Sequence, residues 1–532
     1  MAAKKNTPTL ASARVEIYDT TLRDGAQAQG IAFSLEDKLL IAAKLDELGV
    51  DYIEGGYPLS NTKDEAFFEQ VRRSKLRHSR IAAFGMTRKK NTKCRDDACL
   101  EALWKSRAPV VTLVGKTWDL QVKKVLNTSL EENLRMAAES VRYLKRKGRE
   151  VFFDAEHFFE GYKDNPEYAL KVVQAAAEAG AARIILCDTN GGCLEPEIAE
   201  IVRAAGKEIK APLGIHAHND AGLAVANSLA AVRCGAVQVQ GTINGIGERS
   251  GNADLCVVIA NLMLKMSRRC LPEKNLNKLT EVSRYLYDMA NLNLPLNQPY
   301  VGTSSFAHKG GMHVHAVSKS SRFYEHIDPE AVGNSRRIII SELSGASNLL
   351  AKNEKLALLN DRKLVRRILK HIQNLENEGY QFEMAEASFD LIVRRFLGHY
   401  HTFFKLDHYR TVILKSNSAT PVSEATVKLE LNGSIEHHVA EGHGPVNALD
   451  AALRKALEHH YPVIKEMQLV DYRVRVVNPK AATAAKVRVV IESRDANRHW
   501  GTIGVSENII DASWQALVDS IEYKLLTEEE KR

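Results

Sequence analysis

No two cysteines of this 532-residue chain stand in a C-x-x-C spacing. Its seven cysteines, Cys94, Cys99, Cys187, Cys193, Cys234, Cys256 and Cys270, are scattered and odd in number. That speaks against a disulfide framework or a thiolate zinc site and for reduced thiols in a cytoplasmic protein. No apolar run approaches the length of a membrane span, and the opening MAAKKNTPTLASAR lacks an apolar h-region. Neither membrane nor secretory signal is therefore expected, and residues 1–13 read as a flexible N-terminal arm. The formal charge of +7 is mild, so the composition does not argue for nucleic acid. There is no G-x-x-x-x-G-K-[ST], and GTINGIGERSG misses the G-x-G-x-x-G spacing because Gly251 is the next glycine after Gly247.

With 45% apolar and 26% charged residues the chain reads as a soluble globular protein. It is long enough for a large catalytic domain and at least one more. The stretch VEIYDTTLRDGAQ at 15–27 starts as a strand and ends in Asp19, Arg23 and Asp24. Ionised groups at the end of a buried strand need a partner or a bound ion. An Asp–Arg pair capping a turn is the plainer alternative. Strand-like and helix-like runs then alternate to about residue 266, with strands at 15–19, 51–56, 80–85, 109–115, 149–156, 182–188, 212–218 and 236–243. Helical stretches at 35–49, 130–148 and 168–180 each stop at a glycine, and Ser34 with Asp37 makes a near capping box.

Eight strands each followed by a helix is the count of an α/β (β/α)8 TIM barrel. An open doubly wound sheet is the rival. The positions of polar residues favour closure. Asp19, Asp24, Glu54, Asp154, Glu156, Asp188, His216, His218, Thr242 and Asn244 all fall at strand C-terminal ends, and strands one, five and seven meet around one centre only in a barrel. The barrel is assigned to 14–270, helical linker subdomains to 271–385, and a C-terminal α+β domain to 386–532. Within the last, strands are expected at 388–394, 402–416, 424–431 and 434–441, with Asn432-Gly433 as a hairpin turn. A helix at 442–460 follows, then strands at 468–477, 485–494 and 500–506 and a helix at 509–526. The strands-then-helix order occurs twice, as in an internal repeat.

His216-Ala217-His218 on a strand puts two imidazoles on one face. With Asp24 as the best third ligand and Asn252 as a fourth through its side-chain oxygen, the set suits Mn, Co, Zn, Fe or Mg and leaves positions for substrate oxygens. The bland alternative is two histidines hydrogen-bonded at a barrel rim. Cys187 reads as a buried structural thiol, and Phe84 and Leu113 as candidates for pocket size.

Four motifs, DTTLRDGAQ, HAHNDAGLAVANSL, GTINGIGERSGNADL and FAHKGGMHVHA, resemble those of the DRE-type TIM-barrel metallolyases. The likeness is to their acyl-CoA-condensing branch, the 2-isopropylmalate, homocitrate and citramalate synthases. DAEHFFEGY, SRFYEHIDPEAVGN and SELSGASNL are most similar to the long-chain citramalate synthase group, and GHGPVNALDAAL and GVSENIIDASWQAL to the two halves of the family's regulatory domain. The resemblance implies a divalent metal (Mn, Mg, Co or Zn) on Asp24, His216 and His218, with Asn252 near it. It implies Arg23 beside substrate charge, Glu156 near the acetyl group, His313 as general base, Tyr324 as a second catalytic group, and Thr189 on the 2-oxo acid carboxylate. Many relatives have a carboxylate after the glutamate, where this chain has His157. The implied activity is condensation of acetyl-CoA with pyruvate in isoleucine biosynthesis, in a homodimer with an isoleucine effector. The alternatives are a different 2-oxo acid, a retro-aldol lyase on the same barrel, or a non-catalytic metal sensor. For the C-terminal domain, the alternative to an effector site is a purely structural dimer module.

Overall fold

The computed structural model describes residues 14–531 apart from 75, 340–360, 416–419, 432 and 478–484. The expected arm at 1–13, the SELSGASNL segment and Asn432 of the hairpin turn lie outside the described residues. The chain forms two compact units: residues 14–306 with 326–336, and residues 307–325 with 337–531.

The first unit is a closed barrel of eight parallel strands in sequence order. They are β1 (Glu16–Asp19), β2 (Tyr52–Gly56), β3 (Arg80–Met86), β4 (Val110–Lys116), β5 (Glu150–Glu156), β6 (Arg183–Asp188), β7 (Leu213–Ala217) and β8 (Gln238–Gly241). Closure is made by β8 on β1, with Tyr18 opposite Gln240 and Asp19 opposite Gly241. The open-sheet alternative is thereby excluded. Helices lie between the strands. The first, Leu35–Leu48, begins at the full capping box of Ser34 and Asp37 and ends at Gly49 in the left-handed region, φ 94°.

Strand side chains alternate, and here the alternation separates two environments. Ile17, Ile53, Leu113, Val151, Ile215 and Val239 belong to the apolar layer against the helices. Tyr18, Tyr52, Ala82, Val110 and Phe152 form a small separate cluster. On the faces they share, the strands carry Glu54, Thr112, Asp154, His216 and Gln240, all buried. Leu113, expected to set pocket size, instead packs among the apolar side chains of the helix-facing core.

In the second unit, short strands β9 (Ala307–His308) and β10 (Arg337–Ile338) pair, and a helix spans Gly311–Lys319. Two three-stranded antiparallel sheets follow: β11 (Lys405–Leu414), β12 (Val422–Leu431) and β13 (Ser434–Gly442), then β14 (Gln468–Val476), β15 (Val487–Arg494) and β16 (His499–Ser506). Each sheet precedes a helix, Pro445–Leu457 or Ile509–Glu529, so the repeat is real. Their inner faces share one core, in which Val427, Leu429, Leu453, Ile491 and Leu517 are fully or nearly fully buried. The strand expected at 388–394 is a helix, Glu386–Leu397. Its apolar run buries two faces: Ala387 and Leu391 join the sheet core, while Phe389, Ile392 and Val393 pack with Ile368 and Ile372 of the helix Arg362–Glu378. A helix apolar on two sides has no alternation by which to recognise it, and its β-branched pair imitates a strand.

Candidate metal centre

The turn after β1 is built by its own hydroxyls. Asp19 accepts from the amide and the hydroxyl of Thr21, both at 2.9 Å, and the Thr21 oxygen accepts from the amide of Ile243 at 3.0 Å. Asp19 is therefore a turn former that ties β1 to the segment after β8. Burial pushes its carboxyl up to about 7 against the pull of those donors. The Thr20 carbonyl receives the amides of Arg23 and Gly25, which curls Asp24 back over the barrel mouth.

Three ligand-type side chains converge there. Side-chain donor atoms of Asp24, His216 and His218 lie within 4.8 Å of one another. His216 Nε2 is 3.6 Å from Asp24 Oδ2 and 3.4 Å from His218 Nε2. Burial lowers the affinity of both imidazoles for a proton, His218 to about 4. Burial works to raise the carboxyl of Asp24, but the Arg23 guanidinium and the two imidazoles outweigh it and hold the group well below the usual carboxylate range. At neutral pH the cluster thus offers one carboxylate and two uncharged imidazoles. Asn252 bridges to His218 across an isolated β-bridge, and its amide nitrogen donates to Asp24 and to the Ile246 carbonyl, each at 3.2 Å. Its Oδ1 and His218 Nδ1 are buried with no hydrogen-bond partner among the described residues. A carboxylate, two neutral imidazoles and an orphaned amide oxygen fit a divalent cation. The turn that delivers Asn252 needs Gly251, which has φ 89° and where an added Cβ would stand 2.0 Å from the Gly245 carbonyl oxygen.

Arg23 lies between two carboxylates. Its Nε donates to Glu54 at 2.6 Å and its Nη1 to Asp24 at 2.8 Å, and its guanidinium carbon is 4.0 Å from the centroid of the Phe84 ring. Phe84, expected as a pocket wall, is also the platform of this arginine. Glu54 is completely buried and also accepts from Tyr18 at 2.7 Å and Thr20 at 2.5 Å. Gln240 links two more inward groups: its oxygen faces His216 Nδ1 at 2.9 Å and its nitrogen donates to Asp154 at 3.2 Å. The sequence placed Glu54 and Asp154 at strand ends without a role, and it missed Gln240. The available signal was Q-V-Q at 238–240 in β8, two amides at period two on one face of the strand. Thr242 and Asn244, read as mouth residues, are absorbed by loop bonds to Ile246 and to Ser283 and Gln298.

Glu156 ends β5 and forms an ion pair with Lys116 at the end of β4. The next residue, His157, has φ 56° and donates its amide to Thr189 Oγ1 at 2.8 Å. The position that departs from the family pattern thus joins Glu156 to Thr189 through the backbone. The Thr189 hydroxyl, accepting there, keeps its proton to donate. The carbonyl of Thr189 accepts from Arg249, which is paired with Asp220. His313 and Tyr324 belong to the second unit, where their rings stack at 4.1 Å. A further group, Glu160, Asp188 and Cys193, has the donor types of a metal site. Lys163 reaches it with an ammonium 3.6 Å from Cys193 Sγ, and this supplies the positive charge the cluster faces.

A family model described as HMGL-like matches residues 14–286. A homocitrate synthase post-HMGL domain-like model matches 300–380, and a LeuA allosteric (dimerisation) domain model matches 383–525. An (R)-citramalate synthase of Aquifex aeolicus is 54% identical, covering 97% of this chain and 99% of the relative. One of Geobacter sulfurreducens is also 54% identical, covering 97% and 98%. A probable 2-isopropylmalate synthase of Methanopyrus kandleri is 34% identical, covering 96% and 98%.

Proposed function

The chain belongs to the HMGL-like family and, within it, to the (R)-citramalate synthases, and from that premise we propose that it is an acyltransferase joining acetyl-CoA to pyruvate. A proton leaves the acetyl methyl, the resulting carbanion equivalent forms a carbon–carbon bond to the keto carbon of pyruvate, and water then cleaves the thioester, releasing CoA and (R)-citramalate. The convergence of Asp24, His216 and His218 at the mouth of a closed barrel is the observation that carries this reading.

Asp24, His216 and His218 would hold the divalent metal, with the orphaned oxygen of Asn252 beside them. When bound, the metal supplies Lewis-acid polarisation of the keto carbonyl. Arg23 faces the charge that develops on substrate oxygen. Two of its N–H groups are held by Glu54 and Asp24, and the rest of the fork is left for substrate. The Thr189 hydroxyl donates to the pyruvate carboxylate. Glu156, paired with Lys116, orients the acetyl group. His313 takes the methyl proton, and Tyr324, whose ring stacks on it, donates a proton to the former keto oxygen as it becomes the hydroxyl of citramalate. The match of 383–525 to a LeuA allosteric (dimerisation) domain supports a homodimer, and isoleucine is the effector we assign to it. We place the protein in the cytoplasm, an assignment its seven free thiols support; no helix among the described residues is long and apolar enough to cross a membrane.

Thiol release measured over a panel of 2-oxo acids, with and without chelator, tests the reading. Activity with pyruvate that chelation abolishes is the expected result. Preference for 3-methyl-2-oxobutanoate would instead make the chain a 2-isopropylmalate synthase, and cleavage without CoA-dependent condensation a lyase. Isoleucine that neither inhibits nor shifts the melting temperature would leave the C-terminal domain a dimer module only.

A further inference from the structure

An imidazole can enter a metal site through Nε2 only if the ring proton is on Nδ1. For His216 the contact made by Nδ1 decides this. Gln240 stands directly opposite His216 in the β7–β8 register, so both side chains rise from the same level of the barrel. The glutamine amide has one end that only donates and one that only accepts. Its nitrogen is directed at Asp154 Oδ1, 3.2 Å away, and its oxygen at His216 Nδ1, 2.9 Å away. Asp154 Oδ1 accepts that bond whether or not its second oxygen carries a proton. The amide oxygen can then be satisfied only by a proton on Nδ1, and the Nε2 lone pair is turned toward Asp24 and His218. The opposite arrangement would put an N–H on Nε2, among His218 Nε2, Asp24 Oδ2 and the Asn252 side chain, where it would occupy the place of a cation, and would leave the Gln240 oxygen facing an Nδ1 lone pair. Gln240 and Asp154 are themselves fully or nearly fully buried, with 0% and 3% exposure, so water does not compete for either bond.

We propose that Gln240 is a positioning residue: aligned by Asp154, it fixes the Nδ1–H tautomer of His216 and thereby the metal affinity of the centre. The proposal rests on the assignment of Asp24, His216 and His218 as metal ligands. Outer partners of this kind change metal affinity roughly 10- to 100-fold when removed.

The test is Mn2+ titration of the full-length, chelator-stripped protein, with the dissociation constant read directly. Gln240→Met keeps the length and removes the acceptor, and its dissociation constant is expected to rise by about 10- to 100-fold. Gln240→Glu keeps an acceptor for the Nδ1 proton and is expected to bind close to wild type. It carries the test alone if the methionine variant does not fold. The visible spectrum of the Co2+-loaded protein gives a second readout: wild type and Gln240→Glu should share one band shape. Wild-type affinity in Gln240→Met overturns the proposal, as does a Gln240→Glu that folds but has lost its affinity for Mn2+. A wild-type protein that binds no Mn2+ overturns the ligand assignment itself, which distinguishes the two failures.

Discussion

Replacing Glu54 with glutamine removes one charge from the barrel interior and almost nothing else. Glu54 is completely buried and takes three donors, from Tyr18 at 2.7 Å, Thr20 at 2.5 Å and Arg23 at 2.6 Å. Glutamine has the same shape but turns one acceptor end into a donor. Tyr18 can absorb that change, because its hydroxyl also contacts Thr112 Oγ1 at 2.7 Å and can donate there while accepting from the new amide. What remains is the lost attraction between Glu54 and Arg23. For charge centres about 4 Å apart at an effective dielectric of about 20 this is about 4 kcal/mol. Breaking one side of a buried pair costs about 3–5 kcal/mol in all, because the surviving charge stays buried. Arg23 then draws wholly on Asp24, which it already contacts at 2.8 Å, and competes with a metal for that carboxylate. Glu54→Gln is thus expected to lose about 3–5 kcal/mol in urea unfolding of the metal-free protein and to bind Mn2+ more weakly. A loss below about 1 kcal/mol, the scale of an exposed ion pair, together with unchanged metal affinity, would refute the reasoning.

Asp24→Asn removes the one carboxylate of the triad, and CoA release is expected to fall at least about 100-fold with loss of Mn2+ binding. Loss of metal binding with the biological effect of the protein intact would instead favour the sensor reading. The raised carboxyl of Asp19, about 7 when folded against about 3.9 unfolded, binds its proton more tightly in the folded state. Stability from this group is therefore complete below pH about 4 and lost as pH rises to about 7, by up to ~4 kcal/mol. Asp19→Asn, which does not titrate, should gain on wild type across that range in urea unfolding at several pH values. A difference flat with pH would sink the idea. Gly251→Ala forces a Cβ against the Gly245 carbonyl at a positive φ, which costs about 1–2 kcal/mol for the backbone alone. It should weaken Mn2+ binding through Asn252. An alanine variant with unchanged melting temperature and metal affinity would show that the turn is not constrained.

Asp24, His216, His218 and Asn252 are legible in the sequence as candidates, and the structure brings the first three together, because ligand-type residues and the turns that carry them are local. An H-x-H on a strand shares a face whatever the fold, and a strand that ends in charges announces a site. The eight-strand count and the doubled strands-then-helix order of the C-terminal region were legible for the same reason, since each follows from local periodicity. The strand read at 388–394 failed where that signal ends. The helix Glu386–Leu397 buries two faces, so its apolar residues follow neither period. Leu113 and Phe84 could not be distinguished as pocket residues, because which face of a strand turns inward depends on register with its neighbours.

Short stretches of sequence carried most of the elements, the ligand-type side chains of the barrel mouth and the family motifs, since these are local properties. Only the tertiary structure decided the partners. That Glu54 of β2 holds Arg23 after β1, that Gln240 of β8 orients His216 of β7, and that the His157 amide reaches Thr189 are contacts between strands. They exist because β1 pairs with β2, β5 with β6 and β7 with β8, which sets inward side chains and strand ends beside one another where a polar group without a partner is too costly to keep. Closure of β8 on β1 is what brings the amide of Ile243 to Thr21.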